Sequence, residues 1–270
     1  TPCVRRDWYF RETLPAIRDW ETILARWENE TPEAERTPVF PVPTNGEWVT
    51  WPNPIPLTLL PEGDGGARVR IAGDKVDMER LSPGGAKEQQ TVALGEAVVG
   101  YKHPGGGAKD QWYHSYHRRF DGLTSFRCQP APFALRLDAP FDFRLGANEL
   151  LVAVRNTSGA PLTVTLGLRF LSREGEGTTE ERTADLAAGA EQTVPFPVHL
   201  ASLGGGLLLL TASAGGQSWW LPLFTHVEDV AAVLKGTEQI LGDTPDAAAA
   251  KRLADLRRRA ESRDGSWRGL

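Results

Sequence analysis

Cysteine is almost absent from these 270 residues: only Cys3 and Cys128 occur. Two are too few for a zinc knuckle or a disulfide scaffold. Methionine is scarcer still, with Met78 alone, and the chain does not begin with one. No apolar run approaches the ~18 residues that a spanning helix needs, so no membrane span is predicted. Excess positive charge is also missing, since 30 Lys and Arg face 35 Asp and Glu for a net charge of −5. That balance argues against a nucleic-acid partner held by phosphate neutralisation. Composition is otherwise globular, 40% apolar and 24% charged, which excludes a wholly disordered chain.

Glycine and proline are what the chain has in excess, together 48 of 270 residues against an average of roughly 12%. Without a collagen period, that excess predicts many turns and short strands. The length sets an expectation of one to two domains.

Along the chain, Arg5 to Glu30 reads as a helix, with Trp8, Ile17, Trp20, Leu24 and Trp27 recurring at three- and four-residue steps over much of the span. Pro15 should kink or split it. Thr31 to Pro61 holds eight prolines in 31 residues. That density predicts extended or edge chain that wraps another surface and excludes a central strand. From Ala67 the period becomes two, in Arg68 to Ile71, Thr91 to Leu94 and Ala97 to Gly100, with Gly-rich loops between. Gln111 to Phe120 and Phe133 to Leu137 continue the strand pattern. Asn148 to Arg155 is a clear strand, Asn156 to Gly159 a turn, and Leu162 to Phe170 a second strand. Thr183 to Leu186, Gln192 to Val198, Gly206 to Ala212 and Ser218 to Leu223 follow at roughly ten-residue spacing. Regular short strands separated by turns predict a sandwich.

The segment 133–225 resembles the Ig-like accessory modules called CARDB-type (cell-adhesion-related) domains. The likeness rests on Leu145-Gly146-Ala147-Asn148-Glu149-Leu150, on the hairpin from Val152 to Gly159, and on the run from Leu186 to Pro195. It implies a non-catalytic spacer or adhesion module of large exported proteins, with no catalytic residues to carry over.

After Leu223 the period returns to 3.6. His226 to Leu241 reads as a helix closed by Gly242, and Asp243-Thr244-Pro245 begins another that runs to about Ser262. Its apolar stripe is Ala249, Leu253, Leu256 and Ala260, with Arg252, Arg257, Arg258 and Arg259 around it. This is either a solvated amphipathic helix or a seam for further chain or a partner subunit.

Reactive side chains are densest from Gln111 to Arg119. On a strand, Trp112, His114, Tyr116 and Arg118 would share one face. His114, Tyr116 and Arg118 could serve a polysaccharide lyase, Arg neutralising a uronate while Tyr or His moves the proton. They could equally be a polar outer face. His114 and His117 fall on opposite faces of a strand, and nothing gathers the three or four ligands a zinc ion needs, so no metal and no cofactor is expected. Trp48, Trp51 and Trp219 lie on or beside expected strands, where exposed rings could stack on sugars; the competing reading makes them core. Trp219 and Trp220 are adjacent, so one should point inward and the other outward. Cys3 and Cys128 are either a long-range disulfide of an exported protein or two unrelated thiols. Thr1-Pro2 reads as a processed end, compatible with a removed signal peptide, and Trp267 near the other end suggests that more chain, or a partner, follows.

These readings combine into a mainly β protein with two β-sandwich-like domains, the second Ig-like, and helices at both ends. Residues 1–31 are the N-terminal helix, 32–132 a Pro/Gly-rich β domain, 133–225 the Ig-like sandwich and 226–270 a helical tail. The expected function is a non-catalytic structural or binding portion of a larger exported assembly, extracytoplasmic. The alternative is a carbohydrate-active enzyme or carbohydrate-binding module acting on a polysaccharide through the 111–119 strand and exposed tryptophans.

Overall fold

The computed structural model of the chain describes residues 14–51, 67–81, 87–99, 125–138, 143–201, 203–227, 234–235, 238–239 and 247–262. Among these the protein is mainly β. The strands before residue 132 are β1 (Val39–Pro43), β2 (Val49–Trp51), β3 (Ala67–Ala72), β4 (Lys75–Leu81), β5 (Lys87–Ala93), β6 (Ala97–Val99) and β7 (Ser125–Ala131). Those after it are β8 (Phe133–Asp138), β9 (Gly146–Asn156), β10 (Leu162–Ser172), β11 (Glu176–Leu186), β12 (Glu191–Leu200), β13 (Gly204–Ala214) and β14 (Gln217–Val227). Helix α1 spans Leu14–Glu30 and helix α2 spans Ala247–Ser262. Pro15 falls in the first turn of α1, where a missing N–H costs no helical hydrogen bond. The kink expected there is therefore not required.

One seven-stranded sheet runs β11-β10-β13-β14-β1-β7-β6. A second layer faces it in two pieces, β12-β9-β8 and β2-β3-β4-β5. Aromatic side chains cross between the layers. Phe133 of β8 meets Trp219 of β14 edge-on, with ring centres 5.0 Å apart. Trp51 of β2 stacks on Phe126 of β7 at 3.9 Å and meets Phe40 of β1 edge-on at 5.2 Å. At the two ends β11 abuts β12 and β5 abuts β6. A single buried cluster, from Val69, Ile71 and Met78 through Val152 and Phe196 to Leu208 and Leu223, fills the space between the layers. The arrangement is sandwich-like, and it differs from the sequence expectation first at residue 132. The long sheet and the core both cross residue 132, where a domain boundary was expected. Pairing between β1 and strands about 90 to 180 residues away has no local signature.

The second correction concerns proline. The density around residues 32–61 predicted no central strand, yet β1 lies between β14 and β7. Its hydrogen-bond directions explain this. The carbonyl of Pro38 accepts from Arg127 N–H at 2.8 Å, so even-numbered residues aim their backbone groups at β7 and odd-numbered ones at β14. Pairing with β14 is confined to Val39↔Trp220. Pro41 and Pro43 therefore lack an N–H only on the side where the ladder has already ended.

Segment 133–225 forms seven strands divided between the two layers, each longer than its apolar pattern alone indicated. Asn156, buried at the predicted turn, ties two loops together. Its amide donates to the carbonyls of Ala160 and Ala187 at 2.8 and 3.0 Å, and its Oδ1 accepts from the Ser158 N–H and hydroxyl, both at 2.8 Å.

Helix α1 lies across the outer face of the long sheet. Trp20, Ile23, Leu24 and Trp27 are buried on it. Trp20 packs against Phe224 and Trp27 against Trp220, with ring centres 5.4 and 5.6 Å apart. Asp19 Oδ2 accepts from Gly205 N–H at 3.0 Å, and Arg26 donates to the Ser172 carbonyl at 2.7 Å. The sheet is thus the surface that covers this helix's apolar side. Trp219 points inward and Trp220 outward under the helix, the alternation that a strand imposes.

Candidate functional site

Of the three tryptophans singled out in the sequence, Trp51 and Trp219 are each only 1% exposed. Their rings are spent in the core and cannot meet a ligand from solvent. Trp48 is different. It precedes β2 on the outer side of the second layer, half-buried, with the guanidinium carbons of Arg68 and Arg70 at 4.9 and 4.7 Å from its ring centre. His114, Tyr116 and Arg118, with Trp112 and His117, lie outside the described residues, as does Cys3. Cys128 is a free, buried thiol, and burial pushes it up to about 12.

Strand alternation builds the surroundings of Trp48. In β3, Val69 and Ile71 face the core, so Arg68 and Arg70 face out. In β4, Val76 and Met78 face the core, so Asp77 and Glu79 face out. Register places Arg68 opposite Glu79 and Arg70 opposite Asp77, then Glu79 opposite Gln89 and Asp77 opposite Thr91. The contacts follow that register. Arg68 Nε donates to Glu79 Oε2 at 2.7 Å, and Arg70 donates through Nε and Nη2 to Asp77 Oδ2, both at 3.0 Å. Thr91 Oγ1 donates to Asp77 Oδ1 at 2.9 Å, and Gln89 Nε2 to Glu79 Oε1 at 3.3 Å. The hydrogen bond from Thr91, then the one from Arg70, holds the Asp77 carboxyl below its ordinary value.

The pattern continues across the split in the layer. Glu47, next to Trp48, pairs with Arg155 of β9, and Glu191 of β12 pairs with Arg136 of β8 at 3.2 Å and lies 3.9 Å from Arg155. A polar row therefore crosses the outer face from β12 to β5, with Trp48 near its middle. Six intervals of ~4.8 Å between seven strands give it a length of about 29 Å. It presents a line of fixed arginine and carboxylate side chains to something extended. Trp48 was legible as an aromatic beside a strand, but the Arg–carboxylate row was missed. Its only sequence signal is the alternation Arg68-Val69-Arg70 against Asp77-Met78-Glu79, visible once the hairpin is placed.

A concavity of about 630 Å³ lies along α1 between Arg18, Asp19, Glu21, Thr22, Ala25 and Arg173. Asp19 there holds Gly205 and lies 3.5 Å from Arg173, so its polar groups serve helix docking. No group of three or more metal-ligating side chains occurs among the described residues.

No protein-family model matches the sequence, and no curated protein matches it significantly. Partial likenesses to solved structures occur. A β-glucosidase from Listeria innocua is 14% identical over 35% of this chain and 16% of its own, with a TM-score of 0.27. The alkylpurine DNA glycosylase AlkC of Pseudomonas fluorescens is 18% identical over 36% of this chain and 31% of its own, at 0.26. A CARDB domain from Pyrococcus furiosus, solved with di-metal ions, is 11% identical over 35% of this chain and 89% of its own, at 0.27. With TM-scores this low, none of them decides fold or function.

Proposed function

We propose that this chain is a non-catalytic binding module of a larger exported protein, and that its ligand is a polysaccharide laid along the outer face of the second layer. The observation that carries the reading is the Trp48 environment, where a half-buried indole holds Arg68 and Arg70 in place while Glu79 and Asp77 fix them from the far side. Side chains locked in this way lose little further entropy on binding, which is how a flat surface gains affinity. Every carboxylate of the row lies beside an arginine, an arrangement suited to hydrogen bonding rather than to proton transfer. The resemblance of 133–225 to CARDB-type modules supports the accessory role and an extracytoplasmic location. In the same reading, the α2 stripe is where further chain or a partner subunit packs.

Pull-down on a panel of neutral and acidic polysaccharides tests this. Retention is expected on at least one, and Trp48→Ala, with an unchanged circular dichroism spectrum, should lose most of it. Retention on none of them, or full retention of the variant, overturns the reading.

A further inference from the structure

Four of the five ion pairs of the row are asymmetric in the same direction. Side-chain exposure is 41% for Arg68 against 12% for Glu79, and 40% for Arg70 against 26% for Asp77. Arg155 and Glu47 stand at 38% and 26%, Arg136 and Glu191 at 62% and 45%. In these four the cation is the more exposed partner, while the longer Arg155–Glu191 contact, at 3.9 Å, is reversed at 38% and 45%. The pair Arg80–Glu88 is reversed, at 13% and 55%, but Arg80 belongs to the inward alternation of β4 and lies off this face. The chain as a whole carries −5, so a face on which the guanidinium groups stand outermost runs against the average.

Hydrogen-bond capacity has the same bias. Glu79 accepts from both Arg68 and Gln89, and Asp77 from both Arg70 and Thr91. Each guanidinium has five N–H donors, and the bonds to the carboxylates use Nε and Nη2, leaving the Nη1 donors. A neutral sugar hydroxyl needs acceptors as much as donors, and here the acceptors are already engaged. A carboxylate needs donors only. Stacking on Trp48 also suits a weakly hydrated guanidinium poised for an oxyanion. Arg68 and Arg70 lie two residues apart on one strand, about 6.6 Å, so they present a repeated charge.

We propose that the ligand of this face is an acidic polysaccharide, its uronate carboxylates seated on Arg68 and Arg70, with Arg155 and Arg136 continuing the track. This rests on the reading of the face as a polysaccharide-binding surface, and adds the ligand's charge. Nucleic acid is disfavoured because phosphate neutralisation needs many more cations than this row holds.

The probes are polygalacturonate, alginate and methyl-esterified polygalacturonate, compared by affinity electrophoresis at physiological salt with the full chain. The acidic forms should retard the protein and the ester should do so at least tenfold more weakly. The double variant Arg68→Gln/Arg70→Gln, folded by its melting curve, should lose at least tenfold on the acidic forms. Arg169→Gln, on the opposite sheet, should lose nothing. Equal, Trp48-dependent binding to ester and acid would overturn the acidic ligand yet leave the binding face standing. Loss in Arg169→Gln equal to that in the double variant, or none in the double variant, would overturn the site. No retardation by any probe would overturn the acidic ligand, and the binding face too if the wider panel also fails.

Discussion

The indole N–H of Trp20 donates to the backbone carbonyl of Thr225 at 2.9 Å, joining two residues 205 positions apart. It fastens α1 across the long sheet at the end of β14, with the Trp20 ring against Phe224. Burying the ring and satisfying its polar end are separate contributions. Trp20→Ala should therefore cost about 3–5 kcal/mol. Trp20→Phe keeps most of the apolar area and should cost about 1–2 kcal/mol for the lost hydrogen bond. Urea unfolding of both variants measures the difference. Equal losses would mean that the ring's buried area adds nothing beyond the hydrogen bond, and no loss in Trp20→Phe would mean that the hydrogen bond contributes nothing.

How much of this was legible depended on whether the signal was local. Strands β9 and β10 were readable from apolar alternation on either side of a turn. The hairpin expected there does not form, because β9 pairs with β8 and β12 while β10 pairs with β11 and β13 in the other layer. The hairpin β13–β14 was readable from its apolar runs around Gly215-Gly216. The helix stripe Trp20, Leu24 and Trp27 was equally clear. What covers that stripe was not, because Phe224 and Trp220 lie about 200 residues away and carry no mark of their partner. The same holds for β1, whose prolines argue against a central strand until the direction of each missing N–H is known. Trp51 and Trp48 are three residues apart, and composition cannot separate them. Alternation from the core-facing Val49 does, since it sends Trp51 inward and Trp48 outward. Cys3, one half of the disulfide considered in the sequence, and the whole of the 111–119 segment lie outside the described residues.

Close packing makes Gly206 a sensitive position. A methyl group there would come 2.5 Å from Cε2 of Phe170 and 2.7 Å from Oγ1 of Thr225. Both neighbours are buried and cannot give way easily. Gly206→Ala should destabilise by about 1–3 kcal/mol through overpacking. Gly159→Ala, at a turn where nothing lies within 4 Å of the added methyl, should stay within about 0.5 kcal/mol of the parent. Thermal melts of the two variants side by side test the contrast.

Cys128 lies on β7 in register with Phe40 and is part of the buried core. Burial raises its thiol to about 12, so very little of the reactive thiolate exists near pH 8. In the native protein Cys128 should resist a thiol reagent at that pH and react once urea unfolds the chain. The labelled peptide, identified by mass spectrometry, distinguishes it from Cys3. Fast native labelling at Cys128 would contradict its burial. Failure to label after unfolding without reductant would instead reveal a disulfide.

Asp77 gives the polar row an acid limit. The hydrogen bond from Thr91 and the one from Arg70 both favour its ionised form, and its folded pKa lies below the ordinary 3.8. A carboxyl depressed by folding adds stability above its unfolded pKa, and that contribution fades as pH falls through the folded value. The window thus opens near pH 4 and extends to more acid pH. Above it, the Asp77 contribution is constant. Asp77→Asn keeps the shape but removes the charge that holds Arg70 over Trp48. Its melting temperature should lie below the parent's at pH 6, and the gap should narrow as pH drops below 4. The thermal melts should be run from pH 6 to pH 2.5 on both proteins. Parallel curves across that range would show that Asp77 is not a titrating support of the row. Thr91→Val should give a smaller version of the same convergence, because it removes one of the two groups that depress the carboxyl and leaves Arg70 in place.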